Sequence, residues 1–336
     1  MIELNIGKNE SDQRLNKFIM KYLDRAPSSF VYKMLRKKNI TLNNKKASGN
    51  EILSEGDIVK LFLANDTISN FKSQKVLENK DISLDNKHSS VDTSKLIVLY
   101  KNDDIMAVHK PAGLLSQKAK NDDISINEII VAYCEQHKLT DMSLGYKPSI
   151  ANRLDRNTSG IILAGISLKG SQYLAKILKD RKGDKYYFTI VRGLFKQTVH
   201  SKAYISKDNK NNVSKVISTD EFNSLPQRAK EDFNYIETIF EPISNNSSYT
   251  LLRVKLITGK SHQIRAHLFN LGYPVIGDSK YGDMEINRYF RDKYKLKHHL
   301  LHSGMFIIND LIIKDEFPDI FLKICNGEHI DMKHIF

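Results

Sequence analysis

Asn152-Arg153-Leu154-Asp155-Arg156-Asn157-Thr158-Ser159-Gly160-Ile161-Ile162-Leu163 sets one carboxylate between two arginines, follows it with a Thr-Ser-Gly turn and runs into an apolar strand. Positive charge on both sides keeps a carboxylate ionised, the state a nucleophile or a base requires. The same Arg-x-Asp-Arg spacing also suits a surface ion pair, so the segments around it decide between the two readings.

Upstream, Tyr100-Lys101-Asn102-Asp103-Asp104-Ile105-Met106-Ala107-Val108-His109-Lys110-Pro111-Ala112-Gly113-Leu114 alternates as a strand, a turn, a second strand and a Lys-Pro-x-Gly loop. Downstream, Lys185-x-Tyr187-x-Thr189-x-Val191-x-Gly193 has the period of two of a strand. Thr258-Gly259-Lys260-Ser261-His262-Gln263-Ile264-Arg265-Ala266-His267-Leu268 reads as a turn opening a helix near Ser261, and Gly272 to Gly282 adds a Gly-Tyr-Pro-Val-Ile-Gly-Asp-Ser-Lys-Tyr-Gly loop. β-rich runs (Leu96–Leu99, Ile105–Val108, Ile161–Leu163, Tyr186–Val191, Tyr249–Ile257) alternate with helical patterns at Ile126–His137, Leu174–Leu178 and His262–Leu271, without a strict βαβ repeat. That is an α+β pattern.

Other chemistries fail on spacing. Gly259-Lys260-Ser261 lacks the glycine five residues earlier that a phosphate-binding loop needs, since that position is Val254. His262 with His267, and His298 with His299 and His302, lack the paired spacing with an intervening Glu of a zinc hydrolase helix. Neither a metal nor a nucleotide cofactor is expected. Cys134 and Cys325 are the only cysteines, too few for a disulfide framework, which fits a reducing cytoplasm. With no signal peptide pattern and no apolar run of spanning length, no membrane partner is expected.

The 336 residues carry 52 Lys and Arg against 39 Asp and Glu, a formal net charge of +13. Between Arg14 and Lys46 ten bases (Arg14, Lys17, Lys21, Arg25, Lys33, Arg36, Lys37, Lys38, Lys45, Lys46) face the single acid Asp24, so +9 of that charge lies in 33 residues. Such concentration favours a polyanionic partner. Leu15, Phe18, Ile19, Tyr22 and Leu23 give this region one buried helical face. After Pro27, Ser28 is the expected N-cap of a second helix bearing Phe30, Val31, Met34 and Leu35; strands follow at Ile40–Leu42 and 58–62. Residues 65–94 are polar and aperiodic and read as a linker, which divides the chain into an N-terminal module of 1–64 and a larger domain of 95–336.

Taken together, the four segments of the larger domain resemble the RluA-type pseudouridine synthases, whose central motif is matched from Arg153 to Leu163. The N-terminal module resembles the alpha-L RNA-binding domain that often precedes this catalytic domain, and the combination is most similar to the RluC/RluD group. Asn152 stands where the family usually has His, and His109 where Asn is common. The resemblance implies an α+β fold: a small RNA-binding domain, then a catalytic domain with a mixed, largely antiparallel sheet and flanking helices. It implies isomerisation of uridine to pseudouridine in RNA, large-subunit ribosomal RNA first, without a cofactor. The same reaction on transfer RNA, or a non-catalytic RNA-binding assembly factor, are the alternatives. Asp155 is then the catalytic carboxylate, attacking base or sugar or abstracting a sugar proton. Arg265 would pair with it, and Tyr187 would stack on the base or move a proton. Arg153 would fill the place of a flipped uridine, and Lys110 would contact phosphate. Arg14, Lys17, Arg36, Lys37, Lys38, Lys45 and Lys46 would bind backbone phosphates.

Overall fold

Apolar residues at helical spacing build the N-terminal region as read. Leu15, Phe18, Ile19 and Tyr22 line the buried face of the helix Leu15–Tyr22, and Val31, Met34 and Leu35 that of the helix Ser28–Arg36. Pro27, not Ser28, occupies the N-cap of the second helix, where its fixed φ suits the extended entry. Both helices pack on a four-stranded antiparallel sheet in the order β1-β4-β2-β3, formed by β1 (Ile2–Asn5), β2 (Ile40–Leu42), β3 (Lys45–Lys46) and β4 (Ile58–Leu61). Arg14, Lys17, Arg36, Lys37, Lys38, Lys45 and Lys46 are all exposed, on the sides of these elements away from the apolar core.

The computed structural model describes residues 1–336 except 73–90, 121, 141–145, 209–212, 334 and 336. Within that description the segment read as a linker is corrected at its start. Asn65–Phe71 is a helix whose Ile68 is buried and whose Phe71 ring lies 4.5 Å from Phe30, so it belongs to the core of the N-terminal helices. Two apolar residues in seven, Ile68 and Phe71, are too few to display a period. The rest of the expected linker lies mostly outside the described residues.

The larger part of the chain is one sheet of β5 (Val98–Lys101), β6 (Ile105–Lys110), β7 (Ser149–Ile150), β8 (Ser159–Gly165), β9 (Gly183–Arg192), β10 (Val199–Asp208), β11 (Val213–Ile217), β12 (Asn234–Asn245), β13 (Tyr249–Leu256), β14 (Leu301–Ile308) and β15 (Leu311–Lys314). The order is β11-β10-β12-β13-β9-β14-β8-β6-β5, with β15 on β14 and β7 on β8. Every pairing is antiparallel except β8 with β14, where Ser159 faces His302 and Gly160 faces Ser303. The mixed, largely antiparallel sheet that the resemblance implies is therefore present.

Gly160 is required at that parallel junction. Its φ is +120°, and a Cβ there would stand 2.3 Å from the Ser303 carbonyl oxygen. One face of the sheet, with Tyr187, Val191, Phe240, Leu252 and Val254, packs on the helices Ile126–Gln136 and Gln263–Asn270. The other, with Phe188, Ile190 and Leu251, packs on the helices Met284–Tyr294 and Asp319–Gly327. Cys134 and Cys325 are buried free thiols, one in each of these two layers.

Candidate active site

Asp155 sits at the entry to β8, in a backbone pinned on both sides. Leu154 gives its N–H to the Ser116 hydroxyl oxygen at 3.0 Å, and the same hydroxyl donates to the Leu154 carbonyl at 2.7 Å. On the other side, Gly113 N–H donates to the Arg156 carbonyl at 2.8 Å and Arg156 Nε returns a hydrogen bond to the Gly113 carbonyl at 3.0 Å. Thr158 and Ser159 are fixed in turn by imidazoles. His299 Nε2 lies 2.8 Å from the Thr158 hydroxyl and His302 Nδ1 2.9 Å from that of Ser159. Burial holds both histidines at a pKa of about 4, so they are neutral near pH 7. The histidines weighed as metal ligands thus fasten the segment that carries Asp155.

Arg265 reaches this carboxylate from the helix Gln263–Asn270, its Nη1 donating to Asp155 Oδ2 at 2.8 Å. Two of its other N–H groups are held by Asp278, in the Gly272 to Gly282 loop. Arg265 Nε and Nη2 donate to the two carboxylate oxygens of Asp278 at 2.6 and 2.8 Å, and Asp278 is fully buried. Asp278 also accepts the backbone N–H groups of Lys280 and Tyr281 at 2.9 and 3.2 Å. Burial alone would raise its pKa; the hydrogen bonds and charge of Arg265 pull it below the usual carboxylate range. Burial likewise works against charge on Arg265, but Asp278 and then Asp155 more than offset it and the guanidinium stays charged.

The Tyr281 ring stands 5.2 Å from the Arg265 guanidinium carbon, and its hydroxyl meets His262 Nδ1 at 3.0 Å. His262 precedes the Arg265 helix with a left-handed φ of 57°, half-buried, and burial lowers its pKa. In sequence, an acid after glycine reads as an ordinary turn. What could have singled out Asp278 is its place in a quoted motif.

Tyr187 projects from β9 into the layer containing Leu154, Val254 and Ile264. Burial, with the nearby Asp155 charge and against a hydrogen bond to Ser303, pushes its phenol up to about 12. It therefore rests protonated near neutrality, a state that can donate a proton and cannot serve as a standing base. Asp155, Arg265 and Tyr187 are brought together across β8, β9 and one helix. Arg153 is exposed beside them.

Lys110 does not present its charge to a ligand. It is fully buried, and its ammonium donates to the carbonyls of Pro111, Leu114 and Arg156 at 3.0, 2.8 and 3.1 Å. Desolvation lowers its pKa to about 7 against the opposing charge of Asp155. The expected phosphate contact is corrected to a clasp that ties the Lys-Pro-x-Gly loop to the Asp155 segment, since all three donors are used. The departures at 109 and 152 also have partners. His109 Nδ1 is 2.6 Å from Asp315, while Asn152 bridges the backbone of Ile161 and Leu163 at 3.1 and 2.7 Å.

The whole arrangement is a half-exposed carboxylate, its side chain 28% accessible, hydrogen-bonded by one buried guanidinium next to an apolar wall. Such a group can act as a nucleophile or a base on a substrate that enters the cleft. The family described as RNA pseudouridylate synthase matches residues 104–270. An uncharacterized RNA pseudouridine synthase of Mycoplasma genitalium is 31% identical over 307 residues, covering 89% of this chain and 86% of that one. The ribosomal large subunit pseudouridine synthase C of Escherichia coli is 25% identical, covering 84% of this chain and 80% of that one. Among solved structures, human RNA pseudouridylate synthase domain containing 4 superposes with a TM-score of 0.55 at 18% identity over 70% of this chain and 94% of that one, a likeness of fold.

Proposed function

The chain belongs to the RNA pseudouridine synthase family, and on that premise we propose that it isomerises specific uridines of large-subunit ribosomal RNA with Asp155 as the catalytic carboxylate. The observation that carries this reading is the hydrogen bond from buried Arg265 to half-exposed Asp155 inside the family-matched region. Several relatives named for the large ribosomal subunit, among them that of Escherichia coli, support the choice of RNA.

The reaction breaks the N1–C1′ bond of uridine, turns the base and joins C5 to C1′, with loss of the C5 proton and gain of one at N1. It is redox-neutral, so no cofactor is required. The target uridine leaves its stack to reach Asp155, and exposed Arg153 fills the vacancy. Tyr187 supplies a face for the extruded base. Arg265 orients Asp155 through its hydrogen bond.

Residues 1–72 form the RNA-binding domain, with the seven exposed bases laid on the phosphate backbone. Residues 95–336 form the catalytic domain, and the place of action is the cytoplasm.

Mapping pseudouridines in ribosomal RNA from cells lacking this protein tests the reading. One or more large-subunit positions should lose the modification and regain it with the wild-type chain but not with Asp155→Ala. An unchanged ribosomal map together with a loss in transfer RNA would move the activity to transfer RNA.

A further inference from the structure

Lys185 lies on β9 two residues before Tyr187, hence on the same face of the sheet and about 7 Å along the strand from it. Its ammonium reaches toward the loop that leads into the Arg265 helix, 3.7 Å from where a Cβ on Gly259 would stand. It is half-buried, and among the described residues no acid pairs with it. The neighbouring acid is committed elsewhere, because Asp184 points to the opposite face and holds Lys255 at 2.7 Å. Burial lowers the Lys185 pKa, and so does the positive charge of Arg181, exposed in the turn just before β9 at φ 55°.

Two like charges, one of them partly desolvated, are unfavourable together unless an anion completes the cluster. The Lys110 ammonium shows the contrast, since it is buried with three carbonyl acceptors. An ammonium with no acceptor among the described residues, four positions after an arginine of like charge and on the face that carries the candidate site, has the chemistry of a phosphate site.

We propose that Lys185, with Arg181 beside it, binds a backbone phosphate of the RNA strand next to the extruded uridine. The proposal rests on the RNA-modifying function put forward above and adds to it a contact at the catalytic cleft, apart from the basic N-terminal helices. Lys185 is a substrate-binding residue in this account and takes no part in bond making.

Lys185→Gln, Lys185→Arg and Arg181→Gln in the full chain test it, with unmodified large-subunit ribosomal RNA as the probe. Binding is measured from 50 to 200 mM salt, and turnover by tritium release from uridine labelled at C5. Losing one phosphate contact should make the slope of log K against log salt shallower by about 0.7 to 0.9, so that Lys185→Gln loses about threefold less affinity than wild type across that range. Its KM should rise with kcat retained, Lys185→Arg should restore both KM and slope, and Arg181→Gln should show a smaller change in the same direction. A thermal melt identical to wild type shows that the variants are folded. An unchanged slope and KM in Lys185→Gln would overturn the proposal, as would a fall in kcat at unchanged slope, which would assign the side chain to chemistry or packing. A wild-type chain that forms no pseudouridine would count against the proposed function, while the slope comparison would still decide the phosphate contact.

Discussion

Asp278 clamps the guanidinium of Arg265 with two hydrogen bonds of 2.6 and 2.8 Å in a fully buried pair, and one of the three N–H groups left over reaches Asp155. The division fixes where the charge beside Asp155 sits. It also divides that charge, since the buried carboxylate takes the stronger, two-point contact.

Asp278→Asn should therefore cost stability as well as activity. A buried guanidinium stripped of its main counter-charge is expected to lower unfolding free energy by about 3 to 5 kcal/mol. Denaturant titration checks this. Turnover should fall well below wild type even at temperatures where the variant is folded, because Arg265 is no longer held at Asp155.

Asp155→Asn is expected to abolish isomerisation and leave RNA affinity nearly intact. The half-exposed carboxylate offers phosphate nothing but repulsion, so binding does not depend on it. Tritium release and filter binding on the same preparation separate the two; turnover within tenfold of wild type would remove Asp155 from the chemistry.

Acid should destabilise the fold in a window set by three imidazoles. Burial depresses the pKa of His267, His299 and His302 from 6.5 to about 4. The unfolded chain takes up these protons below pH 6.5 while the folded chain refuses them. Their contribution is thus complete above pH 6.5 and is lost as pH falls toward 4. Denaturant midpoints at pH 7, 6 and 5 should decline in that order, and His302→Gln should flatten the decline.

Gly160→Ala should prevent correct assembly of the sheet. The added methyl meets the Ser303 backbone at 2.3 Å, and φ of +120° strains any L side chain there. Soluble yield and the near-ultraviolet dichroism of the tyrosines report the outcome; a wild-type melt would show that β8 and β14 can separate without cost.

Removing residues 1–72 should leave a cooperatively folding remainder with weaker RNA binding and a shallower salt slope. The cut follows the helix Asn65–Phe71, since Phe71 packs on Phe30 and a cut at 64 would open that core. A slope equal to that of the full chain would mean that the basic helices do not meet RNA.

What was legible in the chain was whatever depends on neighbours in sequence. The helix Leu15–Tyr22 shows the 3.6 period of one-sided burial, and the strands β6, β8 and β9 the short apolar runs of strands buried on both faces over much of their length. The Arg153–Asp155–Arg156 run, the tyrosine at 187 and the arginine at 265 stood out because their motifs are local. The strands β10, β12 and β14 were not marked as such, for their burial depends on partners far along the chain.

Tertiary structure alone decided the rest. Lys110 looked like a phosphate ligand until three carbonyls from two loops were found around it, one of them 46 residues away. Asp278 looked like a turn acid until Arg265 reached it, and His299 and His302 looked like potential metal ligands until Thr158 and Ser159, more than 140 positions away, took them. A side chain's local pattern sets what it can bond to. Which of those bonds forms depends on the acceptors that folding brings within 3 Å, and on the loss of water that makes each one binding.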